Sequence, residues 1–259
     1  MNPIEEFQKD VAENIRKLGE DQELQSFTWD WVKKVSPYRY THNFSWLGRP
    51  IIQFPQDLVA IQELIWRVKP DLVIETGIAH GGSLIFHASQ LAMLDYQDAV
   101  ENNTLLDPAN PKRKVIGIDI EIREHNRKEI EAHHLSNYID LVEGSSIAPQ
   151  TIANVKERTQ GFNTTLVCLD SNHTHEHVLK ELEAYGPLTS KGSYCLVMDT
   201  AIEDMPDHFF SDRPWSIGDN PKTAVWEYLK THHEFEIDKQ MDHKLLITVA
   251  PDGYLKRVG

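Results

Sequence analysis

The sequence predicts a doubly wound α/β fold with a mostly parallel sheet of seven strands, finished by a C-terminal antiparallel hairpin. Short apolar runs alternate with helix-patterned segments from residue 57 onward, the first run ends in a glycine-rich turn, and the last two runs are five residues apart. Alternation on this scale calls for parallel strands joined by crossover helices on both faces. A five-residue connection is too short for a crossover and implies antiparallel pairing.

Residues 3–19 place Ile4, Phe7, Val11, Ile15 and Leu18 at three- and four-residue intervals, the stripe of an amphipathic helix that stops at Gly19. From Phe27 to Pro55 the chain is rich in aromatics (Trp29, Trp31, Tyr38, Tyr40, Phe44, Trp46) without sustained period, and reads as an irregular lid or cover. Residues 1–56 therefore form a covering segment and 57–259 the main domain. In that domain a helix (57–68) leads through Lys69-Pro70 into the first strand, Leu72-Val73-Ile74, which ends at Glu75-Thr76-Gly77. The turn Gly81-Gly82-Ser83 opens an apolar helix (84–94), and the polar stretch from Asp95 to Lys114 reads as a surface insertion. Strands then fall at 115–119, 139–143, 165–170 and 194–199, with helices at 123–135, 147–159 and 175–188 between them. The closing hairpin is assigned to 234–238 and 244–250.

The net charge of −14 opposes binding to nucleic-acid phosphates, and the one basic cluster, 111–114, reads as a solvated loop end. No apolar stretch approaches the roughly 20 residues that span a bilayer, and the acidic start MNPIEEFQKD lacks the form of a signal peptide. A cytoplasmic protein that binds no membrane is expected. Cys168 and Cys195 lie inside apolar runs and read as buried thiols without a disulfide.

Open α/β sheets bind ligands at the carboxyl ends of their strands, near the point where the strand order reverses. Polar groups recur there: Glu75, Gly77, Gly82 and Ser83 after the first strand, Asp119 after the second, Ser146 after the third and Asp170 after the fourth. Asp119 suits a ribose diol, and the glycines let a ligand approach the backbone and a helix N-terminus. The order E-T-G-I-A-H-G-G-S is neither G-x-G-x-x-G nor a P-loop, so a nucleoside with an amino-acid tail fits better than a pyrophosphate. Asp170 and Asp199 end neighbouring strands, a carboxylate pair suited to Mg²⁺. His173, three residues after Asp170, suits removal of a hydroxyl proton. The rival reading, zinc shared by His173 and His177, lacks the H-E-x-x-H order. His175 and His177 read as helix-start and surface residues.

The segments VIETGIAHGGSL, GIDIEIR, LVEGSS, CLDSNHTHEHVLKELEAYGPL and VMDT, spanning residues 45 to 250, resemble the cephalosporin hydroxylase family. More distantly, their order is similar to catechol O-methyltransferase and to the macrocin-type sugar O-methyltransferases. The resemblance implies a class I, Rossmann-like methyltransferase fold, S-adenosylmethionine as cofactor and Mg²⁺ as metal. It also implies Asp170 and Asp199 as metal ligands and His173 as base. Relatives often carry a second acidic or amide group beside the last aspartate, whereas here the neighbours are Met198 and Thr200. Thr200 is the expected further ligand, with Glu203 and Asp204 as alternatives. The implied function is O-methylation of a sugar or polyhydroxylated natural product by a homo-oligomer. The alternatives are oxidative tailoring, NAD-dependent oxidation and cofactor binding without catalysis.

Overall fold

The computed structural model describes residues 2–259. Helix α1 (Pro3–Glu20) starts in a capping box in which Asn2 accepts from the Ile4 amide, a favourable N-terminal signature. Its apolar stripe faces outward more than expected: none of its residues is buried, and Ile4 and Phe7 are largely exposed. The covering segment is also more regular than its sequence suggested. It contains helix α2 (Gln22–Val35), capped by Asp21, and a short hairpin of β1 (Phe44–Trp46) and β2 (Arg49–Ile51). Leu47 and Gly48 both adopt positive φ at its tip, as a two-residue primed turn requires. Val32, Phe54 and Met205 form the centre of a small aromatic cluster with Trp29, Trp31, Tyr40, Phe209 and Phe210.

The main domain continues with α3 (Pro55–Val68), β3 (Leu72–Thr76), α4 (Gly82–Glu101), β4 (Lys114–Asp119), α5 (Glu124–Glu131) and β5 (Ile139–Glu143). Then come α6 (Pro149–Arg158), β6 (Thr165–Leu169), α7 (His175–Tyr185) and β7 (Tyr194–Val197). The chain ends with α8 (Pro221–Tyr228), β8 (Phe235–Ile237), α9 (Lys239–Leu245) and β9 (Tyr254–Arg257). The sheet order is β5-β4-β3-β6-β7-β9-β8, parallel except for both pairings of β9. Every residue of β3 and β6 is buried, as central strands covered on both faces must be. The strand order reverses between β3 and β6, and the carboxyl ends of these two strands open the cleft described below. No helix among the described residues is long and apolar enough to cross a membrane.

Two assignments need correction. Helix α4 runs on to Glu101, so the insertion starts only at Asn102. Asp95 is buried inside that helix, where it accepts from Tyr138 Oη at 3.0 Å and from the Arg113 guanidinium. Arg113 also meets Asp98 at 2.8 Å, so one member of the basic cluster is a buried ion-pair partner and not a solvated side chain.

The second correction is the final hairpin. Antiparallel pairing is present, but its second strand is 254–257, while 239–245 is helical and 246–250 crosses the cleft edge outside the sheet. Asp57, fully buried on α3, explains the displacement. It accepts from Thr248 Oγ1 at 2.5 Å, the Val249 amide at 3.0 Å and Tyr254 Oη at 2.7 Å, drawing this segment onto α3. Asp57→Ala would leave those donors unpaired, so a loss of roughly 2–4 kcal/mol in urea unfolding is expected. Burial pushes the Asp57 carboxyl up to about 6 against these three donors. Its contribution is therefore complete below the ordinary carboxylate range and is lost as pH rises through about 6. Asp57→Asn should remove that part of the pH dependence.

Candidate functional site

The cleft lies over the ends of β3, β4, β6 and β7. Its floor is the loop from Gly77 to Gly82, whose path depends on two glycines. At Gly77, φ is +81° and a Cβ would lie 1.9 Å from the Asp170 carbonyl oxygen; at Gly82 a Cβ would lie 2.1 Å from that of Pro50. The first contact brings the ends of β3 and β6 together, and the second seats the β1–β2 hairpin on the start of α4. Arg49 completes that clamp by donating to the His80 carbonyl at 2.6 Å and to Asn126 Oδ1 at 3.0 Å. Residues 50–53 thereby become a wall of the cleft.

Gly77, Gly82, Ser83, Asp119, Asp170, His173 and Asp199 all line this space. Asp119 Oδ2 accepts from the Ile78 amide at 3.0 Å, which ties the end of β4 to the loop. Glu75 is not at the surface of the cleft. It is 1 % exposed and bonded to Ser83 and His87.

On the other side of Asp119 an adjoining pocket, which shares Gly77, Asp119 and Ser171 with the first, lies between Ile118 and Ile120 on one hand and Ser145, Ser146, Asn172 and His177 on the other. Sequence reasoning missed His177, which faces inward. Its Nε2 lies 3.0 Å from Ser146 Oγ and 3.2 Å from Ser171 Oγ, and Ser171 donates to the buried Glu181 at 2.6 Å. His175 instead meets Thr223 Oγ1 of α8 at 2.8 Å.

At the opposite end, Asp170, His173 and Asp199 offer ligand atoms that all lie within 4.8 Å of one another. His173 Nε2 is 3.6 Å from Asp170 Oδ1 and 3.1 Å from Asp199 Oδ2. Asp199 holds φ at +55°, a strained conformation for a residue with a side chain. Its place is at the turn directly after β7. Burial chiefly, with the neighbouring Asp199 and Glu75, pushes the Asp170 carboxyl up to about 8. Burial would lower the His173 imidazole, but Asp199 and Asp170 outweigh it and hold the proton up to about 9. Two aspartates crowded around an imidazole that holds its proton are a donor set that a divalent cation fits, since its charge would take over the role of the protons held there.

The expected further ligands are placed elsewhere. Thr200 is fully buried and its hydroxyl donates to the Pro251 carbonyl at 2.6 Å. Glu203 accepts from Asn220 Nδ2 and the Gly218 amide, Asp204 pairs with Lys222 at 2.6 Å, and Met198 is in the core. His173 precedes α7 and does not share a helix face with His177, so no two-histidine zinc site forms among the described residues. The Trp215 ring packs against that of His173, with ring centroids 4.7 Å apart.

Known proteins resemble this chain over most of its length. Residues 38–258 match the family described as rhamnosyl O-methyltransferase/CmcI. The rhamnosyl O-methyltransferase of Mycobacterium leprae is 25% identical over 217 residues, 82% of each chain. That of Mycobacterium bovis is 27% identical over 203 residues, covering 78% of this chain and 73% of the relative. Among solved structures, CmcI without ligand superposes with a TM-score of 0.50 at 18% identity, covering 84% of this chain and 77% of that one. That likeness bears on the fold, and the match over residues 38–258 assigns the lineage: this chain belongs to the rhamnosyl O-methyltransferase/CmcI family.

Proposed function

We propose that this protein transfers the methyl group of S-adenosylmethionine to a sugar hydroxyl, with Mg²⁺ or a similar divalent cation as cofactor. One observation carries the reading: two adjoining pockets share Gly77, Asp119 and Ser171, and the Asp170, His173 and Asp199 cluster is at the far end of one of them. The pocket between Ile118 and Ile120 has the apolar walls and polar rim that a flat heterocycle needs, Asp119 is placed to accept from a ribose diol, and the first turn of α4 offers unpaired amides to a carboxylate. Mycobacterial relatives named for rhamnose support a deoxyhexose acceptor.

When bound, the cation would stabilise negative charge developing on the acceptor oxygen. Asp170 and Asp199 would hold it, and His173, turned toward both, would take the hydroxyl proton at Nε2 as the oxygen attacks the methyl carbon and the carbon–sulfur bond breaks to release S-adenosylhomocysteine. Trp215 and the wall at 50–53 would limit water around the reacting oxygen.

Calorimetric titration with S-adenosylhomocysteine and with NAD tests the cofactor half of the reading. Binding of the first and not the second is expected. Asp119→Ala should weaken S-adenosylhomocysteine by more than about tenfold, because two charge-assisted bonds to the ribose are lost. Unchanged affinity would remove Asp119 from the site.

A further inference from the structure

The most unusual buried histidine of the molecule is outside the cleft. His87 on α4 is 1 % exposed, its Nδ1 lies 2.8 Å from Glu75 Oε2, and its Nε2 has no partner. A core position that only needed filling would favour an apolar side chain, since a buried nitrogen without a hydrogen bond is unfavourable. The retained contact is the one to Glu75. A carboxylate offers only acceptors, so the imidazole proton is on Nδ1 and His87 is the donor.

Glu75 links two elements through this bond. Ser83, in the first turn of α4, donates to the other carboxylate oxygen, and His87 lies one turn further along the same face. The end of β3 and the start of α4 are thus fastened to one buried carboxylate. Between them runs the loop that floors the cleft, in which Gly77, Ala79 and Gly81 all have positive φ. Ala79 has no glycine's freedom, so this conformation must be held from outside. Arg49 and Asn126 hold the loop's outer side through the carbonyls of His80 and Ala79. On the inner side the Gly77 and Ile78 amides donate to the Ile118 carbonyl at 2.8 Å and to Asp119 Oδ2 at 3.0 Å, while Glu75 and its two donors fix the end of β3 against the first turn of α4.

We infer that His87 is a positioning residue for ligand binding: by fixing Glu75 it sets the course of the 77–82 loop, and with it the amides that receive the amino-acid end of the cofactor. The inference rests on the proposed nucleoside reading of the cleft. It assigns His87 no contact with the ligand. Its signature is that affinity follows the position of one donor and not the stability of the core.

The test is titration of wild type, His87→Leu, His87→Gln and His87→Asn with S-adenosylhomocysteine, each at a temperature where circular dichroism shows it folded. The shorter asparagine amide can place a nitrogen near the Nδ1 position, whereas the glutamine amide extends toward that of Nε2. His87→Leu and His87→Gln should lose at least about tenfold in affinity and His87→Asn less than about threefold, because small displacements of a binding loop are costly. The thermal midpoints of the asparagine and glutamine variants should be alike. If leucine prevents folding, the asparagine and glutamine pair still decides. Equal affinities for wild type, asparagine and glutamine, or equal losses in both variants, would overturn the inference. Failure of the wild type itself to bind would overturn the nucleoside reading instead.

Discussion

Asp170→Asn is expected to abolish metal-stimulated methyl transfer while leaving S-adenosylhomocysteine affinity within about threefold. The substitution keeps the shape of the side chain and removes a group that must ionise to hold a cation, in a cluster whose ligand atoms lie within 4.8 Å of one another. Loss of one electrostatic stabiliser of a developing oxyanion typically lowers kcat by on the order of 10²–10³, and loss of a metal ligand adds the weakened cation to that. The apo protein carries protons here, with Asp170 up to about 8 and His173 up to about 9. Cation binding must displace them, so Mg²⁺ affinity should rise with pH below about 8 and protons should be released on binding. Calorimetry in buffers of different ionisation enthalpy measures that release. A variant that binds Mg²⁺ and turns over like wild type would take Asp170 out of the metal site.

His173→Ala should lower kcat by about 10²–10⁴, the usual worth of a positioned general base, with little change in cofactor affinity. A base must be unprotonated to act. Asp199 and Asp170 hold the His173 proton up to about 9 when no cation is present, and in the cation-loaded enzyme the wild-type rate should climb with pH through the imidazole titration. A bound cation offsets the two carboxylates and should move the limb to lower pH. The limb should vanish in the variant. A loss of less than about tenfold, with the limb retained, would mean that the cation alone acidifies the hydroxyl and that His173 only lines the site.

The residues that end strands were the most legible part of the sequence. Asp119, Asp170 and Asp199 each follow a short apolar run, and a parallel sheet brings such positions to one edge whatever the connecting loops do. Helix α2 was harder to see because Trp29, Trp31 and Phe27 blur its pattern, although Asp21 as N-cap with Leu24, Thr28, Val32 and Val35 was a usable signal. The displacement of 244–250 from the sheet was not legible, since it depends on Asp57, more than 190 positions away in the chain. For the same reason His177 looked like a surface residue: its partner Ser146 is 31 positions away and belongs to another strand end. The hydroxyl of Thr200 was available by composition and excluded by conformation, because it is spent on Pro251.

Mass spectrometry of a rhamnoside panel incubated with trideuteromethyl-labelled S-adenosylmethionine and Mg²⁺ tests the central claim most directly. The expected result is transfer of the labelled methyl to a sugar oxygen of at least one rhamnoside, stopped by EDTA and restored by added Mg²⁺. Absence of labelled product across the panel, or labelling that continues unchanged in EDTA, would contradict metal-assisted methylation of a sugar hydroxyl.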